Sequence, residues 1–261
     1  MAAYPFYKYQ GAGNDFILFD NRTGFFDRNN EALVRQLCDR RFGIGGDGLM
    51  LLQSIDGYDF EMVYFNADGG EGSMCGNGGR CIVAFARDMR LIDSEADFLA
   101  VDGRHHARIA GDGLVHLKMM DVAKIEQQAG AYVLNTGSPH YVQEINDLAA
   151  FPVVAEGQKI RYNDTFRAQG INVNFVQPEG AGYFVRTYER GVEDETLACG
   201  TGATAVALAM AYKTGKSGDV QTPIRVAGGH LNIRFHRQGD EFSEVYLVGP
   251  AQFVFKGEVA W

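Results

Sequence analysis

Proline is scarce in this 261-residue chain, with six in all, and tryptophan occurs once. Basic charge is also in deficit. The 24 Lys and Arg face 33 Asp and Glu, for a formal charge of −9 at pH 7. No basic cluster offsets that balance. This argues against nucleic acid as a partner, because such affinity comes from Lys and Arg neutralising phosphates. No run approaches 18 apolar residues without charge, so no membrane span is expected. Met1 to Lys8 lacks a charged start followed by an apolar run, so no secretory signal is visible. Four cysteines in a chain this long do not make a disulfide scaffold, and their spacing lacks the Cys-x2-Cys pair of many zinc sites. A reducing cytoplasm is the expected location.

Glycine, by contrast, is abundant at 33 residues, roughly twice average usage. The glycines fall between apolar runs, which marks a turn-rich folded protein. Two segments 124 positions apart share their punctuation. Tyr64 lies eleven residues before Cys75, and Tyr188 eleven before Cys199. Glu71 and Glu195 each lie four before their cysteine, and Cys75-Gly76-Asn77-Gly78 matches Cys199-Gly200-Thr201-Gly202. An apolar helical stretch follows each. The repeat divides the chain into two halves of common domain size, 1–125 carrying Cys75 and 126–261 carrying Cys199. The joint is expected at Val122 to Gly130, with room for the last strand to return to the first half.

Alternating runs predict strands over Phe6 to Gln10, Phe16 to Asp20, Leu49 to Ser54, Asp59 to Phe65, Arg104 to Ala110 and Leu114 to Met120. The last two are joined by Gly111-Asp112-Gly113, a hairpin signal. The second half predicts strands over Ala131 to Asn135, His140 to Ile145, Ile171 to Gln177, Gly182 to Glu189, His230 to His236 and Glu244 to Val248. Glu31 to Phe42 reads as an amphipathic helix, and Ile82 to Leu91 continues a helix that opens just after Cys75. Thr201 to Thr214 is a helix whose core holds no charge. A helix apolar all round must be buried all round. The expected architecture is therefore α+β: two pseudo-symmetric units, each a curved, mostly antiparallel, barrel-like sheet around a central helix.

Each cysteine stands where a glycine-rich turn feeds a helix. The first turn of a helix leaves backbone N–H groups unpartnered and carries the positive end of the dipole. Both favour a thiolate. Glycine lets a ligand carboxylate approach those amides closely. One loop thus offers a base together with an anion clamp. A single such motif would read as a buried, inert thiol. Two in matching frames point to chemistry, because inversion at a carbon needs a proton-transfer group on each face. Cys38 and Cys81 lie on core stripes and read as structural.

The segments Gly11-Ala12-Gly13-Asn14-Asp15-Phe16, Asn66-Ala67-Asp68-Gly69, Met74-Cys75-Gly76-Asn77-Gly78-Gly79-Arg80-Cys81, Glu189-Arg190-Gly191 and Ala198-Cys199-Gly200-Thr201-Gly202 closely resemble diaminopimelate epimerase. The resemblance covers almost the whole chain. It implies a cofactor-independent epimerase, using neither pyridoxal phosphate nor metal. The reaction implied interconverts L,L- and meso-diaminopimelate on the path to lysine and peptidoglycan. It also implies two halves, each a barrel around a helix, with the active site in the cleft between them. By resemblance, Cys75 and Cys199 are the acid–base pair, and Gly76-Asn77 and Gly200-Thr201 hold the carboxylate at the reacting carbon. Asn14, Asn66, Ser138, Asn172, Glu189 and Arg190 bind the substrate, while His140 and Glu189 tune the thiols. A small-molecule amino acid is the expected partner, and a homodimer the expected assembly.

Two positions depart from that pattern. Ser138 stands where many members carry Asn, and Gly48 where some carry a substrate-contacting Gln. Three other readings compete. A proline racemase type would typically have His two residues after one cysteine, where Asn77 stands. A thiol redox protein would favour Cys-x-x-Cys, which is missing. A binding module alone has no use for two thiols at helix starts.

Overall fold

The computed structural model describes residues 2–72, 74–128 and 130–261. Met1, Ser73 of the first cysteine loop and Ala129 of the expected joint lie outside the described residues. The chain forms two compact units, Met1–Leu117 with Gly249–Trp261, and Lys118–Val248.

The first unit opens with β1 (Ala3–Gly11) and β2 (Asn14–Asp20), an antiparallel hairpin. Its two loop residues, Ala12 and Gly13, have φ of 52° and 94°. That is the left-handed turn whose twist matches the strands it joins. Helix α1 (Glu31–Cys38) follows, started by the Asn30 side chain accepting from the Leu33 amide at 3.1 Å. Then come β3 (Gly48–Gln53), β4 (Phe60–Asn66), α2 (Gly76–Asp88), β5 (Glu95–Ala100), β6 (Gly103–Ile109) and β7 (Val115–Lys118).

The second unit runs β8 (Glu126–Gln128), β9 (Ala131–Asn135), β10 (Pro139–Glu144), α3 (Val153–Arg161), β11 (Asn172–Glu179), β12 (Gly182–Glu189) and β13 (Asp194–Thr196). It continues with α4 (Gly200–Thr214), β14 (Gly218–Val226), β15 (Gly229–Gln238) and β16 (Glu241–Gly249). Strand β17 (Gln252–Ala260) returns to the first unit and pairs antiparallel with β1, Ala3 facing Ala260.

The two units repeat one pairing scheme. In the first, neighbours run β17, β1, β2, β3, β4, β5, β6, β7, antiparallel except at β2–β3 and β4–β5. In the second, they run β8, β9, β10, β11, β12, β14, β15, β16, antiparallel except at β10–β11 and β12–β14. The parallel pairs fall at equivalent places, with β13 added beside β12. Each parallel pair needs a crossover. Accordingly α1 and α3 fill the first crossover of their units, and α2 and α4 the second.

Within its unit, α4 packs on β9, β10, β11, β12, β14 and β15, and α2 on β1, β2, β3, β6 and β17. Helix α4 is buried from Ala203 through Ala211 on every face, as its uncharged sequence requires. It ends at Gly215, which takes the left-handed C-cap conformation at φ 69°. The α+β, sheet-around-helix architecture is the one expected.

Some elements differ from the sequence reading. Helix α1 stops at Cys38, not Phe42. The Asp39 carboxylate accepts from the amides of Arg41 and Phe42 at 2.7 and 2.8 Å, which turns the chain out of the helix. Helix α3 went unread because Gly157 interrupts it. That glycine is required, since a Cβ there would stand 2.5 Å from the Tyr188 side chain. Strand β14 was masked by Pro223, which belongs to strand edges and ends.

Candidate active site

In the first unit, Cys75 is the N-cap of α2, with extended backbone at φ −97° and ψ 127°. In the second, Cys199 caps α4 in nearly the same conformation, φ −116° and ψ 111°. Neither side chain makes the capping hydrogen bond that Ser or Asp would make there. The first-turn amides of both helices thus get no capping bond from the cysteine side chain, and the positive end of each helix dipole faces its sulfur. Cys199 is buried and Cys75 partly so. At Gly78 a Cβ would make a tight contact with the Met50 sulfur at 3.3 Å, which a flexible side chain can relieve. Gly202 is required. A Cβ there would stand 2.3 Å from Asn174 Oδ1 and 3.3 Å from Cys199 Sγ.

Around Cys75 a directed chain of hydrogen bonds links several expected site residues. Arg80 Nη2 donates to Asn77 Oδ1 at 3.0 Å, Asn77 Nδ2 to Asn14 Oδ1 at 2.6 Å, and Asn14 Nδ2 to Asp47 Oδ2 at 2.9 Å. Arg40 closes it by donating to Asp47 Oδ1 at 2.7 Å. The three donations from Arg80 to the Asp47 carboxylate run in one direction, from cation to anion, which polarises each link, and Arg40 donates into the same carboxylate from the other side. Asn14 lies just past the Ala12-Gly13 turn. It begins β2, and its amide fixes Asn77. Asn66 is exposed at the end of β4. Its Nδ2 lies 3.1 Å from where a Gly72 Cβ would stand, so Gly72 leaves it room.

Around Cys199, the turn before β10 is tied to the helix start, with Thr136 Oγ1 donating to the Thr201 carbonyl at 2.8 Å. Thr201 Oγ1 is 3.4 Å from Cys199 Sγ. Ser138 Oγ accepts from Asn172 Nδ2 at 2.8 Å and from Arg190 Nη2 at 3.3 Å. Those two bonds use its lone pairs, so Ser138 faces any further partner as a donor. Asn172 acts as a bracket. Its Nδ2 also donates to the Pro139 carbonyl at 3.1 Å, and its Oδ1 accepts from the Arg190 amide at 2.9 Å.

His140 is fully buried on β10. Burial, helped by the Arg190 charge, pulls its pKa down to about 3, so the ring is neutral. Glu189 is raised above the ordinary carboxyl range by burial, against a hydrogen bond from Thr196 Oγ1 at 2.9 Å.

The remaining cysteines behave as core. Burial pushes the thiols of Cys38 and Cys81 up to about 12, so both stay protonated and unreactive. The repeated Tyr and Glu landmarks have structural partners instead of a shared chemistry. Glu71 pairs with Arg28 at 3.2 Å, whereas Arg186 grips Glu195 with two bonds of 2.6 Å. Tyr188 donates to Glu193 Oε2 at 3.0 Å. Tyr64 lies against Gly48 and Gly72.

Sequence reasoning missed Arg80, Asp47 and Asn174, the last with its Thr187 partner, whose Oγ1 donates to Asn174 Oδ1 at 3.0 Å. Arg80 carried a signal: a lone cation one turn into a glycine-rich helix start invites a structural partner.

A family model described as diaminopimelate epimerase matches residues 6–125 and 132–254. The diaminopimelate epimerase of Flavobacterium psychrophilum is 51% identical over 96% of this chain and 98% of its own length. That of Chlorobaculum tepidum is 43% identical over 95% and 98%. Among solved structures, a phenazine biosynthesis protein of the PhzF family from Bacillus anthracis superposes with a TM-score of 0.79 at 12% identity, over all of both chains. A hydroxyproline epimerase from Agrobacterium vitis gives 0.68 at 13% identity, over 99% of this chain and 92% of that one. At such identities these two share the fold alone. The near-complete match to the family model and to those relatives, joined to the paired cysteine caps, means that the chain belongs to the diaminopimelate epimerase family.

Proposed function

We propose that the protein interconverts L,L- and meso-diaminopimelate without pyridoxal phosphate or metal, with Cys75 and Cys199 as its two acid–base groups. One observation carries this beyond family membership. Each sulfur sits at a helix N-cap with glycine after it, and neither is spent on capping. One cysteine, as thiolate, takes the α-proton. The other, as thiol, returns a proton to the opposite face, and their protonation states are thereby exchanged. The amides of Gly76-Asn77 and Gly200-Thr201 receive the α-carboxylate and stabilise the charge that flows into it when the proton leaves. Asn14 and Asn66 on one unit, and Ser138, Asn172, Glu189 and Arg190 on the other, select the substrate, whose second zwitterionic end calls for polar groups beyond the reacting carbon. His140 and Glu189 tune the thiols. A cytoplasmic setting accords with thiols kept reduced.

We further propose a homodimer. Strand β17 pairs with β1 on one side and exposes Phe253, Val254 and Phe255, a contiguous apolar edge of the kind proteins cover. Sedimentation of wild type against a Phe253→Lys, Phe255→Lys variant checks this. A monomeric wild type disproves it.

The catalytic reading is tested by incubation with L,L-diaminopimelate in heavy water. Meso product should carry deuterium at the inverted carbon, while remaining substrate stays largely unlabelled early in the reaction. Cys75→Ala and Cys199→Ala should each abolish epimerisation in a folded chain. Near-normal turnover by either variant disproves the pairing.

A further inference from the structure

The site carries a lock on one histidine that the acid–base reading does not require. Asn174, on β11, is fully buried. Its Nδ2 lies 3.0 Å from the Tyr141 backbone oxygen and 3.0 Å from His140 Nδ1. Its Oδ1 accepts from Thr187 Oγ1 at 3.0 Å. A backbone carbonyl carries no proton, so the end of the amide that faces Tyr141 must be the NH2 group. The Tyr141 carbonyl therefore fixes which way the amide points. The second N–H of that group then points at His140 Nδ1, which must accept and so carries no proton. A neutral imidazole with a bare Nδ1 holds its proton on Nε2.

His140 Nε2 is buried and has no hydrogen-bond partner among the described residues. A buried donor left unsatisfied is destabilising, and most buried donors in proteins are paired. The same amide stands against the reactive loop. Asn174 Oδ1 and Cys199 Sγ lie 2.3 and 3.3 Å from a single point, the place where a Gly202 Cβ would be. The glycine of the second cysteine motif thus makes room for the lock beside Cys199.

We propose that Asn174 is a positioning residue that holds His140 as the neutral Nε2–H tautomer, so that this ring serves the site as a hydrogen-bond donor and not as a base. The functional half of this statement rests on the epimerase reading above. An Nε2–H donor favours a thiolate or a substrate carboxylate as its partner and cannot accept the proton of a thiol. The ring then stabilises charge in the site while leaving proton transfer to the cysteines.

The test is long-range proton–nitrogen correlation on the full-length protein carrying nitrogen-15 histidine. The His140 signals are identified by their loss in His140→Gln. A protonated Nε2 and a bare Nδ1, both unchanged between pH 5.5 and 8, are expected in the wild type. A proton on Nδ1, or titration in that range, overturns the lock, and this measurement depends on no variant of Asn174. In Asn174→Asp the carboxylate accepts from Nδ1 and the proton moves there. An unchanged tautomer in a folded Asn174→Asp protein also overturns the lock. In Asn174→Ala, kcat for epimerisation should fall about 10- to 100-fold with KM little changed, the scale of a misplaced site group. Wild-type kcat in that variant overturns the positioning role. A wild type with the expected spectrum but no epimerase activity supports the lock and sinks the functional reading instead.

Discussion

Glu189 and Arg190 are neighbours in the chain yet bind different partners. The Glu189 carboxylate accepts from Thr196 Oγ1 at 2.9 Å, while the Arg190 guanidinium donates to the Gln169 carbonyl at 3.1 Å and to Ser138 Oγ at 3.3 Å. The surface ion pair that their adjacency suggests is replaced by two separate attachments. Arg190 braces the Ser138 turn, and Glu189 is left among groups that do not neutralise it. Burial then raises its pKa.

Removing the Thr196 hydroxyl should raise that pKa further, because its hydrogen bond is what opposes the effect of burial. If ionised Glu189 assists the thiols, Thr196→Val moves the acid limb of the kcat/KM profile to higher pH. A limb that stays put, or moves lower, counts against a role for Glu189. Stability has its own sign. A carboxyl raised in the folded state stabilises below its unfolded value near 4.5, and that contribution is lost as pH rises through the folded value. Glu189→Gln should therefore gain stability over wild type at pH 7, with the gap closing towards pH 4 in urea melts.

His140 has the opposite dependence. Its pKa is near 3 in the fold and near 6.5 unfolded. A depressed histidine contributes stability above the unfolded value and loses it as pH falls towards the folded one. Below the unfolded value, the wild type should lose stability relative to His140→Gln as pH falls, by up to about tenfold in the folding equilibrium per pH unit. Denaturation of the two proteins from pH 7 to 4 measures the difference, and parallel curves would refute it.

Gly48 cannot be replaced by a residue with a side chain while its neighbours stay in place. A Cβ there would stand 2.5 Å from the Phe65 carbonyl and 2.5 Å from the Tyr64 ring. Gly48→Ala should destabilise by about 1–3 kcal/mol, the usual cost of overpacking, and Gly48→Gln by more. Adding Tyr64→Ala relieves the ring but not the carbonyl, so rescue should be partial in urea midpoints. Full stability in the single variant would refute the clash.

Arg80 is fully buried and donates to the Gly76 carbonyl at 3.3 Å, Asn77 Oδ1 at 3.0 Å and the Pro250 carbonyl at 3.3 Å. Its charge and the Cys75 sulfur are electrostatically coupled. Arg80→Met should cost about 3 kcal/mol or more, since it strands buried acceptors. It should also slow alkylation of Cys75 by iodoacetamide, with Cys199 as the internal control. Equal slowing at both sulfurs would show a general structural effect instead.

Strands β4 and β12 ahead of Cys75 and Cys199, the uncharged α4 and the cysteine caps were legible in the sequence, because each is a local pattern of alternation, burial or glycine spacing, whereas the short β5 and β13 were not. Asn174 was not. It lies two residues beyond Asn172 on one strand, and nothing local distinguishes a bracket for Arg190 from a lock on His140. What separates them is the parallel register of β10 and β11, which sets His140 opposite Asn172 and Val142 opposite Asn174. Gly157 and Pro223 hid α3 and β14 for a related reason. Gly157 breaks a propensity rule to make room for Tyr188, distant in sequence, and Pro223 stands just before the two residues of β14 that pair with β12.

The return of β17 to β1 has a consequence for biogenesis. The first unit is written on both sides of the second, so its β1 edge stays uncovered until the last strand has been synthesised. The second unit is one continuous stretch and can close as soon as it leaves the ribosome. The usual vectorial order, N-terminal domain first, is thereby reversed. During translation the nascent N-terminal half, with Phe6 and its aromatic neighbours awaiting their cover, is the segment exposed to chaperones and to aggregation.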